Sequence, residues 1–468
     1  MDDGIFVTDT IEKSIDTSIL VRQDLKAAGF QVNESKSNWL PVKRAKWLGF
    51  ILDSSLNTFV VPSEKMEKIQ SKITKALAAH FFNARLLSGI IGSIVSLFHA
   101  IGNLVYLLTK NCQMWVAERS NWDQYAPLST DCVYELNFWK ENLSCVKTQS
   151  FELIVPNITK VIFTDASGHS CGGFIENFQG TELVESWSED EKLKSSTWRE
   201  LRALYIFLEV HKKLLCNQQI LCYTDNKNLL SIMKKGSMKQ ELQVLSLKIY
   251  SFCVQHCVIF NLSLVPRSQN EAADFLSKTV DIDGWQIDQR IFHFLQSVTK
   301  KFTLDPFASE KNYKCVKFYS KFWCTGTSGV NALCFQWKNE HCWIVPPPVL
   351  ILQTILHIIQ NKASGVLIIP KWNSAAFWPV LYENGSLPSG WSLMHEYEKP
   401  KRFFVQGVYA NSMFTSAAFS GNVLVFLIQQ NTRYLQVYLN PIWFNCLPIS
   451  VRSHIVPCYI SKQNCGIG

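Results

Sequence analysis

The sequence predicts an α/β protein of several domains, on three observations. A chain of 468 residues that is 47% hydrophobic and 18% charged has apolar surface for about three cores at ordinary domain size, which excludes wholesale disorder. Between Lys160 and Lys278 the pattern runs three short strands, a helix, a strand, two helices, a strand and a final helix. Beyond the acidic connector Val280–Gly284, strands again alternate with helices, which implies another α/β layer.

The chain opens MDDGIFVTDT, two adjacent carboxylates running into an apolar alternation, which is how the interior of a domain reads. A helical pattern covers Glu12–Ala28 and ends at Gly29. Strand-like FQVN comes next, then KWLGFIL around Lys46–Leu52 and a strand at Thr58–Val61 closed by Pro62. Helices are expected over Ser63–Phe81 and Ala84–Leu108. The segment Leu86–Thr109 has 24 residues without formal charge, long enough to cross a bilayer. His99, Asn103 and repeated Ser and Gly favour a buried helix instead, so no membrane association is expected.

In the middle stretch, Val161–Ser167, Gly172–Phe178 and Glu182–Ser188 are separated by Gly-containing turns and suit an antiparallel meander. Thr197–Leu215 is a helix opened by a Thr-x-x-Glu capping pattern. A strand Gln218–Thr224, helices Asn226–Lys235 and Gln240–His256, a strand Val258–Val265 and a helix Asn270–Lys278 complete this stretch. Further on come a strand Phe302–Asp305, a turn at Pro346–Pro348, a helix Val349–Lys362 and a buried strand Gly365–Pro370.

Lys and Arg outnumber Asp and Glu by 46 to 38, and from residue 281 onward sixteen basic residues face nine acidic ones. Nearly all of the surplus is therefore C-terminal, compatible with DNA or RNA as a partner of that region. Fifteen cysteines with no CxxC pair, and no signal-like start, read as reduced thiols of an intracellular protein, in cytoplasm or nucleus. Cys253 and Cys257, flanking His256 at the end of an apolar run, read as buried small side chains and not as a zinc half-site. KPKR (Lys399–Arg402) is too short to fix the compartment.

The chemistry is carried by four acids: Asp165 ending the first meander strand, Glu200 in the helix after the meander, Asp225 ending the next strand and Asp274 in the last helix. Singly, each reads as an ordinary turn or cap residue. Three of them follow or interrupt apolar runs (VIFTD, QILCYTD, NEAAD), where burial is costly unless cations balance the charge. Oxygen ligands without His or Cys suit Mg²⁺ or Mn²⁺, and two such ions about 3.5–4 Å apart activate a water and stabilise the leaving oxygen in phosphodiester cleavage.

With FTDAS, TWRELRAL, YTDN and QNEAADFLSK in this order, and spacings of 35, 25 and 49 between the acids, residues 158–280 resemble the type I ribonuclease H family in its form fused to reverse transcriptases. VPRSQNEAADFLS also matches the retroelement pattern VPGxxNxxADxLS. The resemblance implies a mixed five-stranded sheet with helices, Asp165, Glu200, Asp225 and Asp274 as catalytic metal ligands, and two Mg²⁺ or Mn²⁺ ions. It implies RNA–DNA hybrid as substrate, read through 2′-hydroxyls and backbone, and products with a 3′-hydroxyl and a 5′-phosphate. The His that many members carry before the last acid is replaced by Arg267–Ser268–Gln269, which implies slower product release. Lys234, Lys235 and Lys239 lie where phosphates could be met, but read first as a solvated helix end favoured by the helix dipole and are not taken as site residues.

The flanks carry resemblances of their own. MDDG resembles the aromatic-x-Asp-Asp hairpin of reverse transcriptase palms. LKAAGFQVNESKSNWLPVKRAKWLGFILD, LSGIIGSIVSLFHAIG and LSTDCVYELNFWKENL resemble the polymerase segments downstream of that hairpin in tyrosine-recombinase (DIRS-type) retrotransposons. This implies an α+β region, residues 1–62 as partial palm and 63–150 as thumb and connection, with Asp2 and Asp3 a vestigial polymerase metal site. With no third carboxylate and no fingers, polymerisation is not expected, and a longer element-encoded chain is the implied source of the missing portion.

Residues 285–430 resemble phage-type DNA adenine methyltransferases, with 431–468 as a tail, implying a Rossmann-like α/β fold. In that family a strand ending Asp-Pro-Phe with a glycine turn holds S-adenosylmethionine, and an Asn/Asp-Pro-Pro-aromatic turn holds the target amine. Asp305, Pro306, Phe307, Pro346 and Pro347 remain, but Ala308 and Ser309 stand where the turn wants Gly. Val345–Pro348 lacks both the polar first residue and the aromatic last. These are read as vestigial motifs on a scaffold without methyl transfer and with no bound cofactor. The rival readings are an inert nucleic-acid-binding remnant and, third, an active DNA adenine methyltransferase.

Overall fold

The computed structural model describes residues 4–79, 81–143, 157–279, 286–398, 403–405 and 421–429. Asp2, Asp3, the connector 280–285, the KPKR stretch and the tail 431–468 lie outside the described residues. Contacts group the chain into two compact units, 1–159 with 217–264 and 160–216 with 265–468.

The first unit begins with a helix, Ile11–Ala27, capped by Thr10, whose Oγ1 accepts the Lys13 N–H at 3.2 Å. FQVN forms no strand; Asn33 instead organises a turn, its side chain accepting from the Lys36 N–H and the Ser35 hydroxyl. KWLGFIL is likewise not one strand. Leu48 and Gly49 take φ of 45° and 76°, the positive pair that a two-residue hairpin turn needs, so Arg44–Trp47 and Phe50–Asp53 pair antiparallel, with Thr58–Val60 beside them.

The segment expected as one helix over Ala84–Leu108 is three: Ala84–Val95, Phe98–Ile101 and Leu104–Leu107. Gly102, at φ 83°, closes the second and redirects the chain. Among the described residues no helix is long and apolar enough to cross a membrane. Leu87, Ile90, Ile94 and Leu97 pack with Trp115 and Trp139 of helices Lys110–Ala117 and Thr130–Asn142 in one core. Inside it, Glu135 is fully buried and accepts the N–H groups of Asn111 and Cys112 at 3.0 Å each. It thereby caps the first turn of Lys110–Ala117, while burial pushes its carboxyl up to about 7.

The same unit holds strands Gln219–Thr224 and Ile259–Leu264, paired in parallel, and helices Lys227–Lys235 and Gln240–Gln255. At the end of the last helix Cys253 is half-buried and Cys257 is exposed, not buried as expected. Cys257 takes the left-handed position (φ 53°) that closes the helix and turns its side chain outward.

In the second unit the antiparallel meander is present as Lys160–Ala166, Ser170–Ile175 and Leu183–Ser186. Together with the two parallel strands above it makes the expected mixed five-stranded sheet, ordered Ile259–Leu264, Gln219–Thr224, Lys160–Ala166, Ser170–Ile175, Leu183–Ser186. The next long helix is Ser196–Val210, and its cap is Ser195, accepting from the Trp198 N–H at 3.2 Å, not Thr197. The chain breaks at His211 and resumes helically at Lys212–Leu215.

The C-terminal part is a six-stranded sheet ordered Lys317–Phe318, Leu304–Asp305, His341–Ile344, Ser364–Pro370, Val423–Ile428, Trp391–Tyr397. The first four are parallel, and Val423–Ile428 runs antiparallel to both of its neighbours, Ser364–Pro370 and Trp391–Tyr397. Helix Ile351–Asn361 starts later than expected because Pro348–Leu350 is a 3₁₀ turn. It buries Ile355 and Ile358 against Leu304, Ile344 and Phe426. This part also covers the edge of the meander: Trp323 bridges Leu183, the Val184 N–H donates to the Trp323 carbonyl at 3.1 Å, and the Trp323 N–H donates to Glu182 O at 2.9 Å. The Trp323 indole N–H reaches Gly180 O at 2.6 Å, and Glu310 accepts from the Ser186 N–H at 3.2 Å. An open strand edge is an aggregation hazard, and this one is capped by backbone pairing.

Candidate active site and metal centre

The site is built on the two central strands. Asp165 is the penultimate residue of Lys160–Ala166, 7% exposed and directly opposite Gly172. Glu200 is also 7% exposed, on a helix whose buried residues are otherwise apolar: Leu201, Ala203, Leu204 and Phe207 among them. Asp225 comes directly after the last residue of Gln219–Thr224, just before Asn226, whose side chain accepts the Asn228 N–H to open the next helix. An oxygen from each of Asp165, Glu200 and Asp225 lies within 4.8 Å of the other two.

Asp274 is placed differently. In helix Glu271–Lys278 its Oδ1 accepts from Arg267 Nη2 at 2.9 Å and its Oδ2 from Lys278 Nζ at 2.6 Å. The Lys278 and Arg267 hydrogen bonds hold its carboxyl below the usual carboxylate range. Arg267, in a 3₁₀ turn, stands in the stretch where the resemblance leads one to look for a His.

Four residues that the sequence reading passed over fix this helix. The Ser277 hydroxyl donates to Asp165 Oδ2 at 2.5 Å, with the Asp274 carbonyl at 2.9 Å as the competing acceptor. The Ser277 carbonyl in turn accepts from the hydroxyls of Ser167 and Ser170, each at 2.6 Å. Gly172 makes the approach possible, because a Cβ there would stand 2.4 Å from the Ser277 nitrogen. The signal was in the sequence as a doubled glycine in a strand and a serine one turn past the last acid.

In the C-terminal sheet, Asp305 ends its short strand with 3% exposure. Burial pushes its carboxyl up to about 7, against the Lys314 and Phe307 N–H groups that it accepts at 3.0 and 3.4 Å. Asp305, Phe307, Lys314, Trp343 and Pro347 line a small pocket open to solvent. Pro346 is buried. The sequence motifs at 305–307 and 345–348 thus meet at one cavity, without the polar residue and aromatic ring that the methyltransferase resemblance calls for.

Residues 276–386 match the family model described as DNA N-6-adenine-methyltransferase (Dam). Over 108 residues the chain is 28% identical to the DNA N-6-adenine-methyltransferase of Escherichia phage T1, covering 22% of this chain and 42% of that protein. The chain therefore spans less than half the length of this curated relative. Among solved structures, the foamy viral protease-reverse transcriptase in complex with RNA/DNA hybrid is similar at 16% identity and a TM-score of 0.29, over 55% of this chain and 34% of that one. LC11-RNase H1 in complex with RNA/DNA hybrid is similar at 19% identity and a TM-score of 0.22, over 25% of this chain and 93% of that one. The RNase H1 of Halobacterium salinarum NRC-1 is similar at 16% identity and a TM-score of 0.22, over 25% and 92%.

Proposed function

We propose that this chain is a retroelement-derived nuclease that hydrolyses the RNA strand of RNA–DNA hybrids, with two Mg²⁺ or Mn²⁺ ions as cofactors. Its catalytic carboxylates are Asp165, Glu200, Asp225 and Asp274, within a domain at 158–280. The observation that carries the reading is the approach of three carboxylate oxygens to within 4.8 Å of one another, two of the three residues being buried. Like charges so close repel strongly unless a cation is shared, and an all-oxygen donor set fits a hard dication. When bound, such ions supply an activated water and charge stabilisation at the leaving oxygen.

The chain's own part is positional. Ser277 fixes the rotamer of Asp165, and an apolar helix anchored by Leu204 and Phe207 carries Glu200. DIRS-type origin, a palm and thumb region over 1–62 and 63–150, a longer element-encoded chain as polymerase partner, and nucleic-acid binding by a basic domain at 285–430 belong to the same reading.

The test is cleavage of a labelled RNA–DNA hybrid by the full chain in Mg²⁺, beside single-stranded RNA and duplex DNA. Hybrid-only cutting, abolished by Asp165→Asn, is the expected result. Hybrid binding by the folded chain with no cleavage would favour a nucleic-acid-binding protein without catalysis. A second reading, DNA adenine methylation, is favoured by the match over 276–386 and opposed by Val345 and Pro348 at the turn. A rise in melting temperature on adding S-adenosylmethionine would support it.

A further inference from the structure

We propose that Arg267 and Lys278 set how many cations the acidic site accepts: they gate Asp274, so that one divalent cation binds to Asp165, Glu200 and Asp225 and a second enters only by displacing them. The inference rests on the nuclease reading above and concerns the metal stoichiometry within it.

Both oxygens of Asp274 are engaged, one by each cation, at 2.9 and 2.6 Å. Lys278 lies one turn further along the same helix and Arg267 in the 3₁₀ turn that precedes it. A carboxylate paired with two cations forms a cluster of net charge +1, which repels an approaching dication instead of attracting it. The guanidinium cannot relieve this by losing its proton. The three remaining carboxylates, with oxygens within 4.8 Å of one another, are the donor set offered to a first ion.

Geometry couples the gate to the first site. The Ser277 hydroxyl stands between Asp165 Oδ2 and the Asp274 carbonyl, and the helix is latched through the Ser277 carbonyl by Ser167 and Ser170. Asp274 is therefore held in place as a backbone position while its side chain faces its two partners. Freeing the Asp274 carboxylate for an ion requires the Arg267 and Lys278 side chains to swing away, and both are largely solvent-exposed, at 73% and 55%. Their removal should accordingly leave the fold intact.

The experiment is a Mn²⁺ titration of the metal-free full chain, with free Mn²⁺ followed by electron paramagnetic resonance. The parent is expected to bind one ion tightly and a second at least about tenfold more weakly, and Arg267→Ala with Lys278→Ala to tighten the second about tenfold while leaving the first unchanged. Arg267→Gln with Lys278→Gln, which keeps the side-chain length without the charge, should do the same. If neither pair of substitutions alters the second binding constant, the gate is refuted. Asp225→Asn serves a separate purpose: first-ion binding unchanged in that variant would overturn the acidic site as a cation site, whatever the gate does.

Discussion

Replacing Gly172 by Ala places a methyl group 2.4 Å from the Ser277 nitrogen, 2.5 Å from Leu276 Cβ and 2.6 Å from the Leu276 carbonyl carbon. Ordinary Cβ contacts fall at 3.4–4 Å, so helix Glu271–Lys278 must withdraw by roughly 1 Å. Two of the three obstructing atoms are backbone and cannot rotate aside. Overpacking of this kind costs roughly 1–3 kcal/mol. The same withdrawal stretches the Ser277–Asp165 contact of 2.5 Å and the Ser167 and Ser170 latches of 2.6 Å beyond the range in which hydroxyl hydrogen bonds hold. A misplacement of about 1 Å at a catalytic group can cost about 10²-fold in rate. Urea unfolding followed by circular dichroism and hybrid cleavage in Mg²⁺ read the two effects separately. Gly168→Ala is the control, since nothing lies within 4 Å of a Cβ there, and it should stay within about 0.5 kcal/mol of the parent. A Gly172→Ala chain that unfolds at the parental urea concentration and cuts at the parental rate would refute the close approach of helix and strand.

Ser277→Ala removes a donor from a buried carboxylate and should lower stability by about 1.5–3 kcal/mol in urea unfolding, with hybrid cleavage slowed in parallel. Trp323→Ala removes the indole bond to Gly180 O and the ring contact with His211 at 5.5 Å; a loss of roughly 1–3 kcal/mol is expected, with faster amide exchange at Val184 by hydrogen-exchange mass spectrometry. Stability should also depend on pH through Glu135 and Asp305, whose folded-state carboxyls are raised to about 7 from ordinary values of 4.5 and 3.8. Between those limits the folded state binds protons that the unfolded state has released, so stability falls as pH rises toward 7 and levels off above it. Melting temperatures from pH 4 to 8 should show that slope, and Glu135→Gln with Asp305→Asn should flatten it; an unchanged slope in the double variant would exclude these two groups as its source.

The meander was legible because strand-length alternation and Gly-containing turns are local signals, and the five-stranded sheet is built on them. Element boundaries failed where a single backbone position decides: Leu48 and Gly49 fold one expected strand into a hairpin, and Gly102 cuts one expected helix. Ser195 took the cap expected of Thr197, because a hydroxyl can cap a helix without an acid three residues on, and the Thr-x-x-Glu pattern marks only Thr197. At the site, the four acids were readable as a spacing, but their pairings were not. That Asp274 faces Arg267 and Lys278, and that Ser277 donates to Asp165, depends on helix rotation over the sheet, which no one-dimensional pattern encodes. The strands Val423–Ile428 and Trp391–Tyr397 also went unread, since nothing local distinguishes an antiparallel strand at the end of a parallel sheet from any other apolar run.

The C-terminal part carries two sets of contacts, those that line the cavity at Asp305 and those that cover the edge of the meander. The cavity is lined by Asp305, Trp343 and Pro347 among others, with Ala308, Ser309, Val345 and Pro348 in the two motifs that meet there. The cover over the meander edge combines two main-chain bonds, Val184 N–H to Trp323 O and Trp323 N–H to Glu182 O, with side-chain bonds made by the Trp323 indole, Glu310, Glu185 and Lys311. The two main-chain bonds tolerate substitution, whereas the bonds made by Trp323, Glu310, Glu185 and Lys311 require those side chains. The segment that provides it, Glu310–Thr325, also supplies Asn312 and Lys314 to the lining of the cavity. Edge cover and cavity are therefore tied through one segment, and a substitution that displaces it should disturb both the meander edge and the Asp305 pocket.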